Sequence, residues 1–345
     1  MDAESAQRHP SRNPCWRGRS SDGAAVFVKF ENTVAGIGLK TDGTRTFYQL
    51  RAEHHRMRAA VSTLEPTAVS PDGMVQIYPW RTPLSHSESL VSGELDPRVV
   101  EAIARDIARL HGVEAELCTG VPVTDAEPIP GGYGVPSLPI EVVPGLSGAQ
   151  LAVWGLLHGD DELLDQARAT VLAPSDGTDR TFIHGDLRLD QILLAEAGEQ
   201  APASIIDWES FGYGDPARDT GTFIGNILNV VLMKEILATK RRGRQADWQE
   251  AIQRGLDLAR PLLVAFLAAY RAEADLAELD MKDHVRRALR FAGWHQFDRM
   301  LATAEEAAII TPLAKALAGV GRAFVLQPDE ADKEWGLSDA YTSAH

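Results

Sequence analysis

Two stretches of the chain, Phe182 to Leu194 (FIHGDLRLDQILL) and Ser204 to Phe223 (SIIDWESFGYGDPARDTGTF), each run a β-branched or aromatic segment straight into an aspartate. That pattern ends a buried strand on a carboxylate, at Asp186 and again at Asp207. A strand, a short connection and a returning strand fit the interval between them and predict a hairpin with both carboxylates at one end. Adjacent carboxylates in a buried site repel unless a proton or cation separates them. Magnesium suits that place, since it takes oxygen ligands from one or two carboxylates and from a nucleotide's phosphates. The pair therefore predicts phosphoryl transfer, with one carboxylate orienting the attacking hydroxyl and the other holding the cation against the β- and γ-phosphates.

A lysine on a strand belongs to the same chemistry. CWRGRSSDGAAVFVKF reads as strand, turn, strand, with Asp22 and Gly23 at the turn and Lys29 on the second strand, where Val26, Val28 and Phe30 alternate with it. FYQLRAEHHRMRAAV then reads as one helix that offers Glu53 as the ion-pair partner of Lys29. Glu31, two positions after the lysine, competes for that role. Met74 to Trp80 (MVQIYPW) reads as another strand.

The chain divides accordingly. Residues 1–80 predict a small β-rich lobe, 81–98 a hinge and linker, 99–335 a helical lobe carrying the two aspartate segments, and 336–345 a frayed tail, the fraying setting in beyond about Asp332. Asp96 and Pro97 form a helix start for DPRVVEAIARDIARLHG. The Pro- and Gly-rich run at 121–147 reads as an irregular crossing loop. A hydrophobic fraction of 44% excludes a disordered chain, and 49 acidic against 34 basic residues argue against nucleic acid as a partner. Cys15 and Cys118 are too few for a disulfide framework. MDAESAQRHPSRN lacks the basic and apolar regions of a secretion signal, and the longest purely apolar run, Leu262 to Tyr270, is too short to span a bilayer. A cytoplasmic protein with no membrane partner is the expectation.

HGDLRLDQ resembles the catalytic-loop motif HGDxxxxN of the aminoglycoside phosphotransferases, choline kinases and their relatives. IDWE resembles the metal-binding segment of that family, GDPARD its continuation, and ARLHG (Ala108 to Gly112) the helix that crosses its large lobe. The resemblance implies an α+β, bilobal protein-kinase-like fold and an ATP- and Mg2+-dependent O-phosphotransferase. Carried onto this chain it makes Asp186 the group that accepts or orients the substrate hydroxyl, Asp207 the main magnesium ligand, and Lys29, positioned by Glu53, the holder of the α- and β-phosphates. His184 becomes a scaffold residue bonded to backbone beneath the loop, Asp219 the residue that ties the loop down, and Ile77, Tyr78 and Trp80 the region of the hinge that receives adenine.

Two departures stand out. The family's second metal ligand is usually Asn, and here that position is Gln191, whose amide sits one methylene further out. The nucleotide-covering segment SRNPCWRG holds a single glycine, Gly18, which leaves Asn13 and the backbone around it as the candidates to cover the phosphates. RNPCW, DGAAVFVK, the helix start at Gly145 to Ala149 and HGDLRLDQ are also similar to the phosphotransferase-like kinases of class V lanthipeptide and thioamitide maturation. That likeness implies a precursor peptide whose Ser or Thr is phosphorylated before a partner lyase eliminates phosphate. A small hydroxylated substrate, such as an aminoglycoside, and a pseudokinase scaffold that binds a peptide or lyase are the alternatives.

The remaining features read as structure. His54 and His55, adjacent on a helix, face about 100° apart and do not chelate together. Phe291, Trp294, Phe297, Met300 and Leu301 form a core face at helical spacing, and KRRGRQ (Lys240 to Gln245) a solvated loop.

Overall fold

The structure, a computed structural model, describes residues 6–9, 14–30, 43–71, 74–81, 96–114, 140–141, 143–173, 180–194, 202–241, 248–274, 278–305 and 307–337. Asn13, Glu31, nearly all of the crossing loop before residue 140 and most of the KRRGRQ run lie outside them.

The chain opens with strands β1 (Gln7–His9), β2 (Cys15–Arg19) and β3 (Ala25–Phe30), followed by helices α1 (Gly43–Glu53) and α2 (His55–Ala60) and strands β4 (Ala68–Val69) and β5 (Val75–Pro79). The strands form one antiparallel sheet in the order β1-β2-β3-β5-β4. The β2–β3 turn closes through Gly23 at φ 86°, as the Asp-Gly pair requires. Where one helix reads from the sequence there are two, because His54 is extended at φ −119°, ψ 117°. Arg51 explains the break: its buried guanidinium donates to the carbonyls of Met57, Arg58 and Val61, and Arg58 in turn donates to those of Arg51 and Ala52. Arg58 thus satisfies two carbonyls that a continuous helix would have paired itself, and Arg51 caps carbonyls at the end of α2.

Helix α3 (Pro97–His111) starts on the Asp96 cap and buries Val100, Ile103, Ala104, Ile107 and Ala108 on one stripe. Helices α4 (Gly148–His158) and α5 (Asp161–Ala169) follow, the first with a capping box between Ser147 and Gln150. Strand β6 (Thr181–Ile183), a turn at 189–191, β7 (Ile192–Leu194), β8 (Ala203–Ile205), a turn at 208–210 and β9 (Gly212–Gly214) carry the motifs. Five helices complete the chain: α6 (Ala217–Arg241), α7 (Trp248–Ala274), α8 (Glu278–Ala304), α9 (Pro312–Leu326) and α10 (Pro328–Trp335).

Helix α6 runs through the core between α7 and α8, with Phe223, Ile224 and Ile227 fully buried. Ala217–Thr239 is long and apolar enough to cross a bilayer, a stretch that a search for uninterrupted apolar runs passes over because Asn and Thr punctuate it. Two-thirds of its most apolar window (67%) is buried within the protein, so its apolar character belongs to the core. Trp294, Phe297 and Met300 pack with α4, α5 and α9 in a second cluster, a core face as their spacing predicts. Order extends past Asp332, where fraying was expected to begin, and residues 338–345 lie outside the described residues. Asp332, Trp335 and Leu337 are buried, and Trp335 meets Phe324 edge to face at 4.9 Å. Packing continues past residue 336 because α10 is an amphipathic helix, which a mostly acidic composition conceals.

Candidate active site

The first aspartate segment is held from beneath. Strand β6 ends at Ile183, and the backbone N–H groups of His184 and Gly185 both donate to the Asp219 carboxylate at 2.7 and 2.8 Å. Asp219 sits in the first turn of α6, fully buried, where a carboxylate also complements the helix dipole. Burial works to raise its pKa. The hydrogen bond and charge of His111, with the His184 ring and backbone, outweigh that and hold the carboxyl below its ordinary range. The His184 ring donates from Nε2 to the Ile206 carbonyl at 3.0 Å and accepts from the Asp186 N–H at Nδ1 (3.3 Å). Gly185 has φ +82°, and a Cβ there would meet the Ser210 carbonyl oxygen at 2.3 Å, so only glycine fits.

Beyond Asp186 the loop closes on itself. Gln191 donates from Nε2 to Asp186 Oδ2 at 3.2 Å, and its Oε1 accepts from the Arg188 N–H at 3.2 Å. Both ends of the amide are engaged inside the loop, so Gln191, read from the sequence as a metal ligand, braces the Asp186 loop. The extra methylene lets it reach back to the Arg188 backbone. Asn226 on α6 accepts from the Leu189 N–H at 3.0 Å. Arg188 lies 3.6 Å from Asp186 and 3.3 Å from Asp190, and its cation also feels Asp207 and Asp298. It stands between the two aspartate segments, a place that nothing in the motif's spacing announces.

The predicted hairpin forms, but later than its spacing suggests. It is β7 that pairs with β8, Ile192 opposite Ile205, while β6 pairs with β9 beyond Asp207. Ile206 N–H donates to the Gln191 carbonyl at 2.9 Å and fastens the two segments together. Asp207 follows in the left-handed region at φ 70°, ψ 58°, the one non-glycine residue with positive φ among those described. Such a conformation persists only where the surroundings over-determine it. Here Trp208 supplies the constraint: its ring stacks on Phe47 of α1 at 3.7 Å, and its Nε1 donates to Thr63 Oγ1 at 3.0 Å.

Lys29 reaches this segment from the sheet. Its Nζ donates to Asp207 Oδ1 and, at 3.1 Å, to Glu209 Oε2. Burial works to raise the Asp207 carboxyl, but the charge and hydrogen bond of the lysine hold it below the usual range. Glu53, the partner read from the sequence, is exposed and accepts from Gln49 in its own helix. Geometry explains the exchange. Helix α1 meets the metal segment with its first residue, Gly43, where a Cβ would stand 2.4 Å from the Glu209 carbonyl oxygen. Glu53 lies ten residues on, about 15 Å along the axis at 1.5 Å per residue. The carboxylate within reach is Glu209, two positions past Asp207, which the reading of the helix overlooked.

In the sheet, β5 pairs Gln76 with Lys29 and Tyr78 with Phe27. Directly opposed residues share a face, so Tyr78 lies on the lysine's side, with Trp80 near Phe27 at 6.1 Å between ring centres. Ile77 pairs with Val28 and turns its side chain to the opposite face. Of the three residues read as a hinge, Tyr78 and Trp80 stand on the lysine's face of the sheet.

A triphosphate with a divalent cation fits this donor set. Lys29 offers an ammonium, and Asp207 and Asp186 offer carboxylate oxygens of the kind magnesium prefers. Among the described residues no group of three His, Cys, Asp or Glu side chains could hold a metal alone, so phosphate oxygens would complete the coordination.

Residues 39–262 match the phosphotransferase enzyme family. No curated protein matches the chain. Among solved structures it is similar to an amicoumacin kinase in complex with AMP-PNP, Ca2+ and Ami, at TM-score 0.56 and 12% identity over 95% of this chain and 90% of that one. A microcompartment-associated aminopropanol kinase gives TM-score 0.52 and 15% identity, over 97% and 95% of the two chains. The GDP complex of aminoglycoside 2'-phosphotransferase-IIIa gives 0.51 and 14%, over 92% of each. At such identities the likeness establishes the fold, which is protein-kinase-like and bilobal.

Proposed function

The chain belongs to the phosphotransferase enzyme family, and from that membership we propose that it moves the γ-phosphoryl group of ATP, with magnesium, to a hydroxyl acceptor in the cleft between the sheet and the helices. The observation that carries the reading is Lys29 of β3 meeting Asp207, with Arg188 joining that segment to Asp186. Lys29 holds the α- and β-phosphates, and on their arrival leaves the carboxylate it now neutralises. Asp207 holds the cation, which when bound neutralises charge developing on the β- and γ-phosphates. Asp186, fixed by the Gln191 amide and by the loop's attachment to Asp219, takes or orients the proton of the attacking hydroxyl. Glu209 keeps Lys29 aimed, and Tyr78 and Trp80 line the place for adenine.

The finer reading makes the acceptor a Ser or Thr of a ribosomally made precursor peptide ahead of phosphate elimination by a partner lyase. The strings RNPCW, DGAAVFVK and HGDLRLDQ support it. A small hydroxylated molecule is the second acceptor class, and the aminopropanol kinase named above supports that one. ATP consumption measured against a panel of Ser- and Thr-containing peptides, amino alcohols and amino sugars decides between them. Turnover with amino sugars and none with peptides removes the peptide reading. If ATP binds and nothing in the panel is phosphorylated, the chain is a nucleotide-binding scaffold.

A further inference from the structure

No step of the proposed transfer uses the Arg188 guanidinium, although it lies within the site. Its Nη2 stands 3.6 Å from Asp186 Oδ2 and its Nε 3.3 Å from Asp190 Oδ1, and Asp207 and Asp298 also act on its charge. The first separation is that of an ion pair, longer than a hydrogen bond. Nε is buried and has no hydrogen-bond partner among the described residues. A buried donor left unpaired is costly, and in a native protein it calls for a reason. Burial opposes the charge of Arg188, but the carboxylates of Asp186, Asp190, Asp207 and Asp298 outweigh it and hold the pKa above its ordinary value. The side chain is a lasting cation with its Nε uncommitted.

Gln191 fixes where that cation stands. It is 2% exposed, and its Oε1 accepts from the Arg188 N–H while its Nε2 donates to Asp186. The residue at the position of the family's second metal ligand therefore holds the backbone that carries the guanidinium.

We propose that Arg188 is a catalytic residue that donates to the γ-phosphoryl oxygens during transfer in place of a second divalent ion, so that the site works with one ion at Asp207 and Gln191 coordinates none. The inference deepens the phosphotransferase reading above and rests on it. In the step, the acceptor oxygen bonds to the γ-phosphorus as the bond from that phosphorus to the β,γ-bridging oxygen breaks. The electron pair leaves on ADP, the hydroxyl proton passes to Asp186, and Arg188 exchanges no proton. Negative charge spreads over the three equatorial oxygens of the transferring group. A planar guanidinium presents its N–H donors in a fork that matches two such oxygens. Arg188 is placed for this beside the carboxylate that meets the acceptor, whereas Lys29 meets Asp207 from the sheet. Repulsion argues for the ion count, because a cation fixed beside Asp186 and acting on Asp207 opposes a second divalent ion shared between them.

Two measurements on the full chain test this, and neither needs an acceptor. Mn2+ titrated in the presence of AMP-PNP, with the free ion read by electron paramagnetic resonance, should saturate at about one tight ion per chain. Calorimetry with ADP and magnesium should show binding tightened about a hundredfold by aluminium fluoride, a mimic of the transferring group. Arg188→Gln should remove that gain while leaving the affinity for ADP itself within about threefold. Arg188→Lys, which keeps the charge without the fork, should retain part of the gain. Two tight Mn2+ ions in the native chain, or an undiminished fluoride gain in Arg188→Gln, overturns the inference alone. The ion count uses no variant and decides by itself if Arg188→Gln does not fold. Absence of ADP binding, or of any fluoride gain in the native chain, removes the phosphotransferase reading and the inference with it.

Discussion

The two aspartate segments are held in opposite ways. Around Asp186 every anchor comes from the helical part: the Asp219 carboxylate beneath the loop, Asn226 beside it, and Gln191 across its mouth. Around Asp207 the anchors arrive from the other lobe, as Lys29 from β3, Phe47 from α1 and Thr63 from the segment after α2. The first is a rigid fixture of one lobe. The second depends on how the sheet and α1 are seated. On the proposed reading, the group that orients the hydroxyl is preformed, while phosphates would compete with Asp207 for the Lys29 ammonium.

That contrast can be broken most sharply at Asp186. Asp186→Ala should lower phosphate transfer by a factor of about 10³ in steady-state assays with little loss of nucleotide affinity, if the group positions the nucleophile. Asp219→Ala should act on stability, because it strips the acceptor from two buried backbone N–H groups at about 1–3 kcal/mol each. Denaturant unfolding should show a loss of about 3 kcal/mol, with the Asp207 side far less affected in hydrogen exchange.

Acid sharpens the comparison, since two buried histidines lie on the rigid side. Burial chiefly, aided by the His111 and Arg287 charges, pushes His284 down to about 3, and burial likewise depresses His295. A depressed histidine stabilises the fold above its unfolded pKa near 6.5, and that contribution fades as pH falls below it. Unfolding free energy should therefore drop by about 1.4 kcal/mol per pH unit for His284 between roughly pH 6 and pH 4, with His295 acting in the same direction. His284→Gln should remove about 1.4 kcal/mol per pH unit from the slope, and an unchanged slope would refute the assignment.

The smaller effects test the other side. Glu209→Gln should reduce kcat about tenfold by loosening Lys29, whereas Glu53→Gln, whose exposed carboxylate accepts from Gln49 in its own helix, should change activity less than twofold and stability by under about 0.5 kcal/mol. Equal losses from the two would show that the lysine's partner lies on α1 after all.

Much of the site was legible because its parts are local in sequence. The strand before each aspartate, the Asp-Gly turn ahead of Lys29 and the Asp96 cap each declare themselves within a few residues, through hydrophobic runs, turn chemistry and capping. Partner choice is different. Nothing local reveals that α1 touches the Asp207 segment with Gly43 instead of Glu53, that His54 breaks the helix where Arg51 reaches forward to the carbonyls of Met57, Arg58 and Val61, or that Gln191 folds into its loop. His111 and Tyr270, hydrogen-bonded at 2.7 Å behind Asp219, come from helices far apart in the chain.

By itself, then, the amino-acid order determined the family chemistry: which carboxylates and which lysine, at what intervals, ending which strands. The folded arrangement alone decided which of several acidic side chains meets that lysine, which residues of β5 share the lysine's face, and that a cavity opens between α6, α8 and the segment leading into α9. The reason is that hydrophobic patterning and capping act over a turn or two of chain, whereas ion pairs and cavities depend on the relative placement of whole helices.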